Sequence, residues 1–191
     1  MHRLTGSLVL GFHGCEKAAA DRVLSGKPFL KSQNDYDWLG DGVYFWEANP
    51  LRGLEFVREK MRREKRRRAV TIVGAVIDLG LCLDLTTTAG IEQIRSSYLS
   101  LREVFEALGL EMPENARRMN RLDCAVINNL HQLRQGQGAE AIQTVRGVFI
   151  EGDPAYQGAG FFAKTHIQLA VRDLRCIKGV FRVPPHVMDA A

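Results

Sequence analysis

Hydrophobic positions change along the chain between strand-like and helix-like spacing, and this pattern predicts the order of its elements. The nearly continuous β-branched run Val70–Asp78 predicts a buried strand. Apolar residues three and four positions apart in 91–108 predict an amphipathic helix. By the same criteria we expect further strands at 8–15, 43–46, 145–150, 165–171 and 176–183, and further helices at 16–25, from 50 into the basic residues 58–68, and at 122–133. This order indicates an α+β fold built on a split, mostly antiparallel β-sheet.

The chain is expected to form one domain at residues 1–185, followed by a tail at 186–191. Its 191 residues and 46% hydrophobic content are sufficient for one core. The helices at 91–108 and 122–133 fall within a segment of about 86–140, which we interpret as a helical insertion. No apolar run reaches the roughly 18–20 residues that span a membrane, so we expect a cytoplasmic protein without a membrane partner.

The cysteines are spread along the chain and none belongs to a C-x-x-C pair. They are Cys15, Cys82, Cys124 and Cys176. This spacing argues against a zinc site and against a disulfide framework, so we expect no metal and four thiols that act as small hydrophobic side chains. The candidate chemistry therefore has to come from other residues.

Positive charge is concentrated in residues 58–68, whose sequence is Arg-Glu-Lys-Met-Arg-Arg-Glu-Lys-Arg-Arg-Arg, in a chain with a net charge of +4. Such a run can bind phosphates through the release of counterions. It is also typical of a solvated helix end, where Glu59 with Arg63 and Glu64 with Arg68 have the i,i+4 spacing of ion pairs. By itself the run does not establish nucleic-acid binding.

Two short motifs in the first quarter of the chain carry the strongest functional signal. The first is segment 12–15 (Phe-His-Gly-Cys), and the second is segment 40–46 (Gly-Asp-Gly-Val-Tyr-Phe-Trp), directly ahead of a helix start. In this order they resemble the nicotinamide-binding half of NAD-dependent ADP-ribosyltransferases of the poly(ADP-ribose) polymerase and diphtheria-toxin type. The resemblance extends over 12–15, 40–57 and 164–181. It implies a split sheet of the ADP-ribosyltransferase type and NAD as the substrate.

The resemblance assigns the NAD site to both motifs and to the loop between them. Cleavage of the nicotinamide bond passes through an oxocarbenium-like transition state, so the carboxamide must be held, the ring stacked and the ribose cation stabilised. The backbone of Gly14 can bond the carboxamide, His13 can donate to a ribose hydroxyl, and Tyr44 can lie against the ring. The remaining residues of the expected cofactor-binding set are Tyr36, Trp38, Gly42 and Phe45. Taken singly, these residues also fit ordinary strand and core packing, and it is their joint order that favours the NAD site.

The third motif of the family departs from its usual form. The resemblance places a catalytic glutamate on the strand at 165–171, where this chain has Gln168. Glutamine can hydrogen-bond a ribose hydroxyl but brings no negative charge, which argues for transfer of a single ADP-ribose unit or for a different use of the pocket. His166, on the same strand face, and Glu151, at the end of the preceding strand, are the residues that could compensate.

The resemblance implies that the loop 151–164 occupies the family's substrate-recognition position. Its aromatic residues Tyr156, Phe161 and Phe162 could stack on a target ring. They could equally anchor the loop in the core, and the residues alone leave both options open.

These observations predict an NAD-dependent mono-ADP-ribosyltransferase that modifies a protein or a nucleic acid, RNA or DNA. Its small size also fits a toxin-like effector with an antitoxin or immunity partner. Three alternatives remain: a catalytically weak module that binds NAD or ADP-ribose, an NAD glycohydrolase, and a basic RNA-binding domain. The missing glutamate motivates the first of these, and the third depends on residues 58–68 alone.

Overall fold

The computed structural model describes residues 8–116 and 119–188, in which a seven-stranded sheet carries helices on both faces. The strands are β1 Leu8–Glu16, β2 Val43–Glu47, β3 Val70–Asp78, β4 Cys82–Asp84, β5 Asn115–Ala116, β6 Met119–Asn120, β7 Thr144–Phe149, β8 His166–Val171 and β9 Ile177–Arg182. The helices are α1 Lys17–Leu24, α2 Pro50–Arg63, α3 Thr88–Leu108, α4 Arg121–Gly136 and α5 Pro185–Met188. A short 3₁₀ turn at Leu174–Cys176 precedes β9.

Across the sheet the strands follow the order β4-β7-β8-β2-β1-β3-β9. Neighbouring strands run antiparallel except β4 and β7, which are parallel. The predicted α+β class and mostly antiparallel sheet are therefore confirmed. Between α3 and α4 lies the small β5–β6 hairpin, and the Asn115 side chain there accepts hydrogen bonds from the first turn of α4.

Helix α1 covers one face of the sheet, whereas α2 and α4 share the other face. Strand residues alternate between the two faces, so Phe45 and Leu169 pack under α1 while their neighbours Trp46 and Ala170 point the opposite way. On that second face Leu54 of α2 packs near β1 and β3, and Ile127 of α4 packs near β7 and β8. Strand β2, which contains the end of segment 40–46, therefore lies beneath the boundary between α2 and α4.

The predicted helical insertion consists of α3 and α4, which pack against each other. Buried Ser97 donates from its hydroxyl to the carbonyl of Val126 at 2.8 Å, and the Asn129 amide donates to the Ser97 carbonyl at 3.0 Å. Gly109, with φ of 64°, ends α3 in the left-handed conformation that favours glycine. Hydrogen bonds between the helices thus add to the apolar contacts of the pair.

Helix α2 begins as expected, since the Asn49 side chain accepts a hydrogen bond from the Arg52 amide and Pro50 occupies the first turn. The helix ends at Arg63, before the end of the basic residues 58–68. The expected i,i+4 pairing is wrong, because Glu59 binds Lys164 instead and Glu64 binds Arg66. The residues after Arg63 follow a non-helical path in which Arg66 and Arg68 both bind Glu16.

The predicted tail at 186–191 starts inside α5, and its Val187 packs against the apolar cluster of β1, α2 and β3. Residues 189–191 lie outside the described part of the chain. Among the helices of 8–116 and 119–188, none combines the length and the apolar character needed to cross a membrane. The same residues contain no group of three or more His, Cys, Asp or Glu side chains placed to hold a metal ion.

Candidate functional site

Strands β1 and β2 separate after a short ladder. β1 pairs with β3 from Leu8 to Glu16, but its ladder with β2 consists of Gly11 with Glu47 and Phe12 with Trp46. Beyond Phe12 the two strands diverge in front of segment 40–46. The two NAD-binding motifs predicted from the sequence therefore meet at the point where the sheet opens.

The backbone of Gly14 faces this opening. The Leu10 carbonyl accepts a hydrogen bond from the Ala48 amide at 2.9 Å, so the backbone groups of Leu10 point toward β2. In an antiparallel ladder every second residue points to the same neighbour, which directs the N–H and C=O of Phe12 and Gly14 toward β2 as well. Past the end of the ladder at Phe12, Gly14 is the next residue whose backbone points toward β2, and it would pair with Tyr44 if the ladder continued.

A glycine is also required at position 14 by the packing of α2. A Cβ atom there would overlap the carbonyl oxygen of Gly53 and lie 3.2 Å from the Cβ of Val57. Helix α2 thus approaches β1 more closely than any residue with a side chain would permit.

His13 occupies the gap left by the separated strands. Its Nδ1 lies 2.8 Å from the carbonyl oxygen of Tyr44, and because a carbonyl can only accept, Nδ1 carries the proton. The ring packs against Phe29 and Phe45 on the α1 face, with centroid distances of 5.3 and 5.7 Å. Burial lowers the pKa of His13, which keeps the imidazole neutral.

Tyr44 lies on the opposite face of the sheet from the His13 ring. Its hydroxyl donates to the Gly40 carbonyl and accepts from the Leu39 amide, both at 2.8 Å, and burial raises its pKa. Tyr44 therefore anchors the turn ahead of β2. The structure joins His13 to the backbone of Tyr44 but does not bring the two side chains together.

The other predicted cofactor-binding residues lie in different environments and do not form one site with His13. Gly42 bridges to Ser32, and a Cβ atom on it would lie 3.1 Å from the Val171 carbonyl oxygen, so it serves close strand packing. Phe45 is fully buried in the core under α1. Tyr36 is exposed, and Trp38 packs on Phe149 with a centroid distance of 4.0 Å.

Trp38 also lines an apolar cavity of about 280 Å³ between the helical insertion and β7. Its wall includes the apolar side chains of Leu39, Ile94, Ile127 and Phe149, and the Asp123 carboxylate also lines it. The cavity lies on the α4 side of Tyr44.

Gln168 and the two residues expected to compensate for it, His166 and Glu151, come together on the second face of the sheet. Gln168 pairs across the ladder with Trp46, and its Nε2 lies 2.9 Å from Nε2 of His166. The pKa of His166 is lowered mainly by burial; the nearby charge of Glu151 raises it and that of Arg52 lowers it. Sequence reasoning thus selected three side chains that the fold places in one cluster.

Hydrogen bonding fixes the orientation of the Gln168 amide. Nδ1 of His166 lies 2.6 Å from the Lys164 carbonyl and must be the protonated nitrogen, so Nε2 is an acceptor. The Gln168 amide nitrogen donates to that Nε2. This leaves Oε1 of Gln168 as the acceptor that the side chain offers to a ligand.

The sequence analysis missed Arg52, the central cation of this cluster. Its side chain is only 7% exposed, and its Nη2 binds Oε2 of Glu151 at 2.7 Å. Nε of Arg52 and Nε1 of Trp46 are buried without a hydrogen-bond partner among the described residues. A cation in the first turn of a helix, where the dipole disfavours positive charge, is the sequence signal that could have indicated it.

The opening at Gly14 and the Gln168 cluster are neighbours. Trp46 pairs with Phe12 on one side and Gln168 on the other, which puts these two residues about 10 Å apart at ordinary strand spacing. Both lie beside the N-terminal half of α2. The opening and the cluster thus flank the same residue of β2, Trp46.

Comparison with known proteins gives a short local similarity. A stretch of 36 residues is 44% identical to the uncharacterized protein MJ0359 of Methanocaldococcus jannaschii, covering 19% of this chain and 17% of that protein. No protein-family model matches the chain. No solved structure matches it either.

Proposed function

We propose that this chain is an NAD-dependent mono-ADP-ribosyltransferase, with a sheet of the ADP-ribosyltransferase type, that moves one ADP-ribose unit to a macromolecular acceptor. The observation that carries the proposal is the backbone of Gly14 at the opening between β1 and β2. One N–H donor beside one C=O acceptor matches the C=O and NH₂ of a primary carboxamide, the group that nicotinamide carries.

The ribose-side chemistry is assigned to Gln168 and Glu151. When the nicotinamide leaves with the bonding electron pair, positive charge develops on the ribose, and Oε1 of Gln168 can accept a hydrogen bond from a ribose hydroxyl. Glu151 is the carboxylate of the cluster, but its charge is partly balanced by Arg52. An amide and an ion-paired carboxylate stabilise a cation less than a free carboxylate does, which favours transfer of a single unit.

His13 is assigned a positioning role. Its Nδ1 donates to the Tyr44 carbonyl, the acceptor that the Gly14 amide would use if the ladder continued. By occupying that carbonyl, His13 keeps the Gly14 backbone free for a carboxamide.

This role predicts the result of His13→Ala. We expect the β1–β2 ladder to extend to Gly14 and Tyr44, so that the Gly14 amide becomes protected and NAD binding weakens. Hydrogen exchange at Gly14 should slow by at least about tenfold in the variant, while the fold stays intact. Unchanged exchange at Gly14 together with unchanged NAD binding would show that His13 does not hold the opening.

The transferase proposal is tested by incubating the purified chain with adenine-labelled NAD and a cell extract. The labelled material is then digested separately with protease and with nucleases. We expect label on a macromolecule, reduced about tenfold by Gln168→Ala because one charge-stabilising hydrogen bond is lost. Exposed Gln132 on α4 provides the matched control, and Gln132→Ala should label normally.

Three outcomes would replace the proposal. Free ADP-ribose without a labelled macromolecule would indicate an NAD glycohydrolase. NAD that is bound but left intact, with no gain from Gln168→Glu, would indicate a binding module. Neither binding nor cleavage of NAD would reject the NAD site altogether.

A further inference from the structure

The basic end of α2 holds more net charge than the entire chain. We use this name for the cations of 58–68, which are Arg58, Lys60, Arg62, Arg63, Lys65, Arg66, Arg67 and Arg68. With two glutamates in the same segment its net charge is +6, against +4 for the whole chain, so the remainder is slightly acidic. All eight cations are exposed. Arg66 and Arg68 bind Glu16, but that single carboxylate leaves most of the charge unbalanced.

The loop 151–164 is fastened along α2 at both of its ends. Glu151 binds Arg52 at 2.7 Å, and Lys164 binds Glu59 at 2.6 Å. Positions 52, 59 and 63 follow helical spacing, so the face that holds the loop continues toward Arg63. Glu59 and Arg63 are only about 6 Å apart along the helix axis. The loop and the basic end of α2 therefore belong to one continuous surface.

Two aromatic rings stand out from this loop. Tyr156 is 62% exposed and Phe161 is 71% exposed. A bridge between Pro154 and Phe162 and a hydrogen bond from the Ala155 amide to the Phe161 carbonyl at 2.8 Å hold the two arms of the loop together. The rings are thus presented by an ordered loop, and the alternative that they anchor it in the core does not apply to Tyr156 and Phe161.

We propose that the basic end of α2 and the rings of Tyr156 and Phe161 form a binding surface for single-stranded nucleic acid. The cations contact backbone phosphates, and the rings stack on unpaired bases. An acidic polypeptide would satisfy the cations but would leave both rings exposed. A nucleic-acid strand bound on this surface leads toward Gln168 and His166, which lie on β8 directly after the loop. Identifying this strand as the acceptor rests on the proposed transferase function, whereas the binding itself does not.

Binding is measured by fluorescence anisotropy of the full chain with fluorescein-labelled 20-nucleotide RNA and DNA strands, without NAD and over a range of salt concentrations. Phe161→Ala and Tyr156→Ala should each weaken binding about 5- to 100-fold. The triple variant Arg62→Ala, Arg63→Ala, Arg67→Ala should reduce the slope of log Kd against log salt by about 2. A control triple variant removes Arg95, Arg102 and Lys178, which are exposed elsewhere, and should leave the slope nearly unchanged.

Duplexes of the same sequence should bind more weakly, because their bases are not free to stack. Equal affinity for polyglutamate, or for single strands after loss of both rings, would overturn the proposal in favour of a general polyanion or acidic protein surface. Circular dichroism of each variant separates loss of binding from loss of fold. Strand binding without NAD cleavage would refute the transferase function while leaving this surface intact, and NAD cleavage without strand binding would do the reverse.

Discussion

Gly14→Ala is expected to lower the free energy of unfolding by about 3 kcal/mol, the upper end of the usual cost of overpacking. The added methyl group would overlap the carbonyl oxygen of Gly53, which is backbone and cannot rotate away. Relief requires α2 to move away from β1, and this movement loosens the apolar contacts of its Leu54 with Phe12 and Ile72. Urea unfolding followed by tryptophan fluorescence measures the effect.

Gly136→Ala is the matched control for this substitution. Gly136 is the last residue of α4, has ordinary helical φ and has open space around its Cβ position, so alanine there should raise stability by about 0.5 kcal/mol. Similar effects of the two substitutions would show that α2 does not approach β1 as closely as described. The comparison also bears on the candidate site, because Gly14 presents its backbone to the opening between β1 and β2.

Glu151→Ala is expected to destabilise the protein by about 2–3 kcal/mol, because it leaves buried Arg52 with only the exposed carboxylate of Glu55, at 3.8 Å. The effect falls below that of a fully buried pair because Glu151 itself is partly exposed. Replacing both partners, as Arg52→Met with Glu151→Leu, should cost much less than Glu151→Ala alone. A double-mutant cycle that also includes the single variants Arg52→Met and Glu151→Leu should give a coupling energy of about 2 kcal/mol.

The exposed pair of Lys17 and Asp21 provides the reference for this cycle. Both side chains are largely solvated, so Asp21→Ala should cost less than about 1 kcal/mol. If Glu151→Ala costs no more than Asp21→Ala, water reaches Arg52 and the cluster is not a desolvated site. In that case the assignment of Glu151 as the cluster's carboxylate would lose its electrostatic basis.

Most elements of the fold could be predicted from local patterns. The β-branched run of β3 and the Asn-Pro start of α2 act through near neighbours along the chain, and the structure has both where they were expected. The end of α2 was predicted less well. Its basic residues continue the helical pattern past Arg63, but Glu16 on β1 binds Arg66 and Arg68 from a distant part of the sequence.

Long-range contacts were beyond the reach of the sequence. Alternation along a strand indicates that two neighbours face opposite ways, but not which face lies under α2. The Tyr44 hydroxyl binds the turn at Gly40, and the His13 ring binds the Tyr44 backbone, contacts that depend on how β1 and β2 diverge. Arg52 was missed because its burial depends on Glu151, which lies 99 positions away in the chain.

The sequence by itself determined which residues are available for chemistry: His13 and Gly14 in the first motif, Tyr44 in the second, and Gln168 on the strand at 165–171. Only the tertiary structure decided how they are used. It directs the backbone of Gly14 toward the opening between β1 and β2. It also binds the Tyr44 hydroxyl to the turn at Gly40 and the Gln168 amide to His166. The reason is physical: residue type sets which bonds a group can make, whereas burial and strand pairing decide which partner it meets.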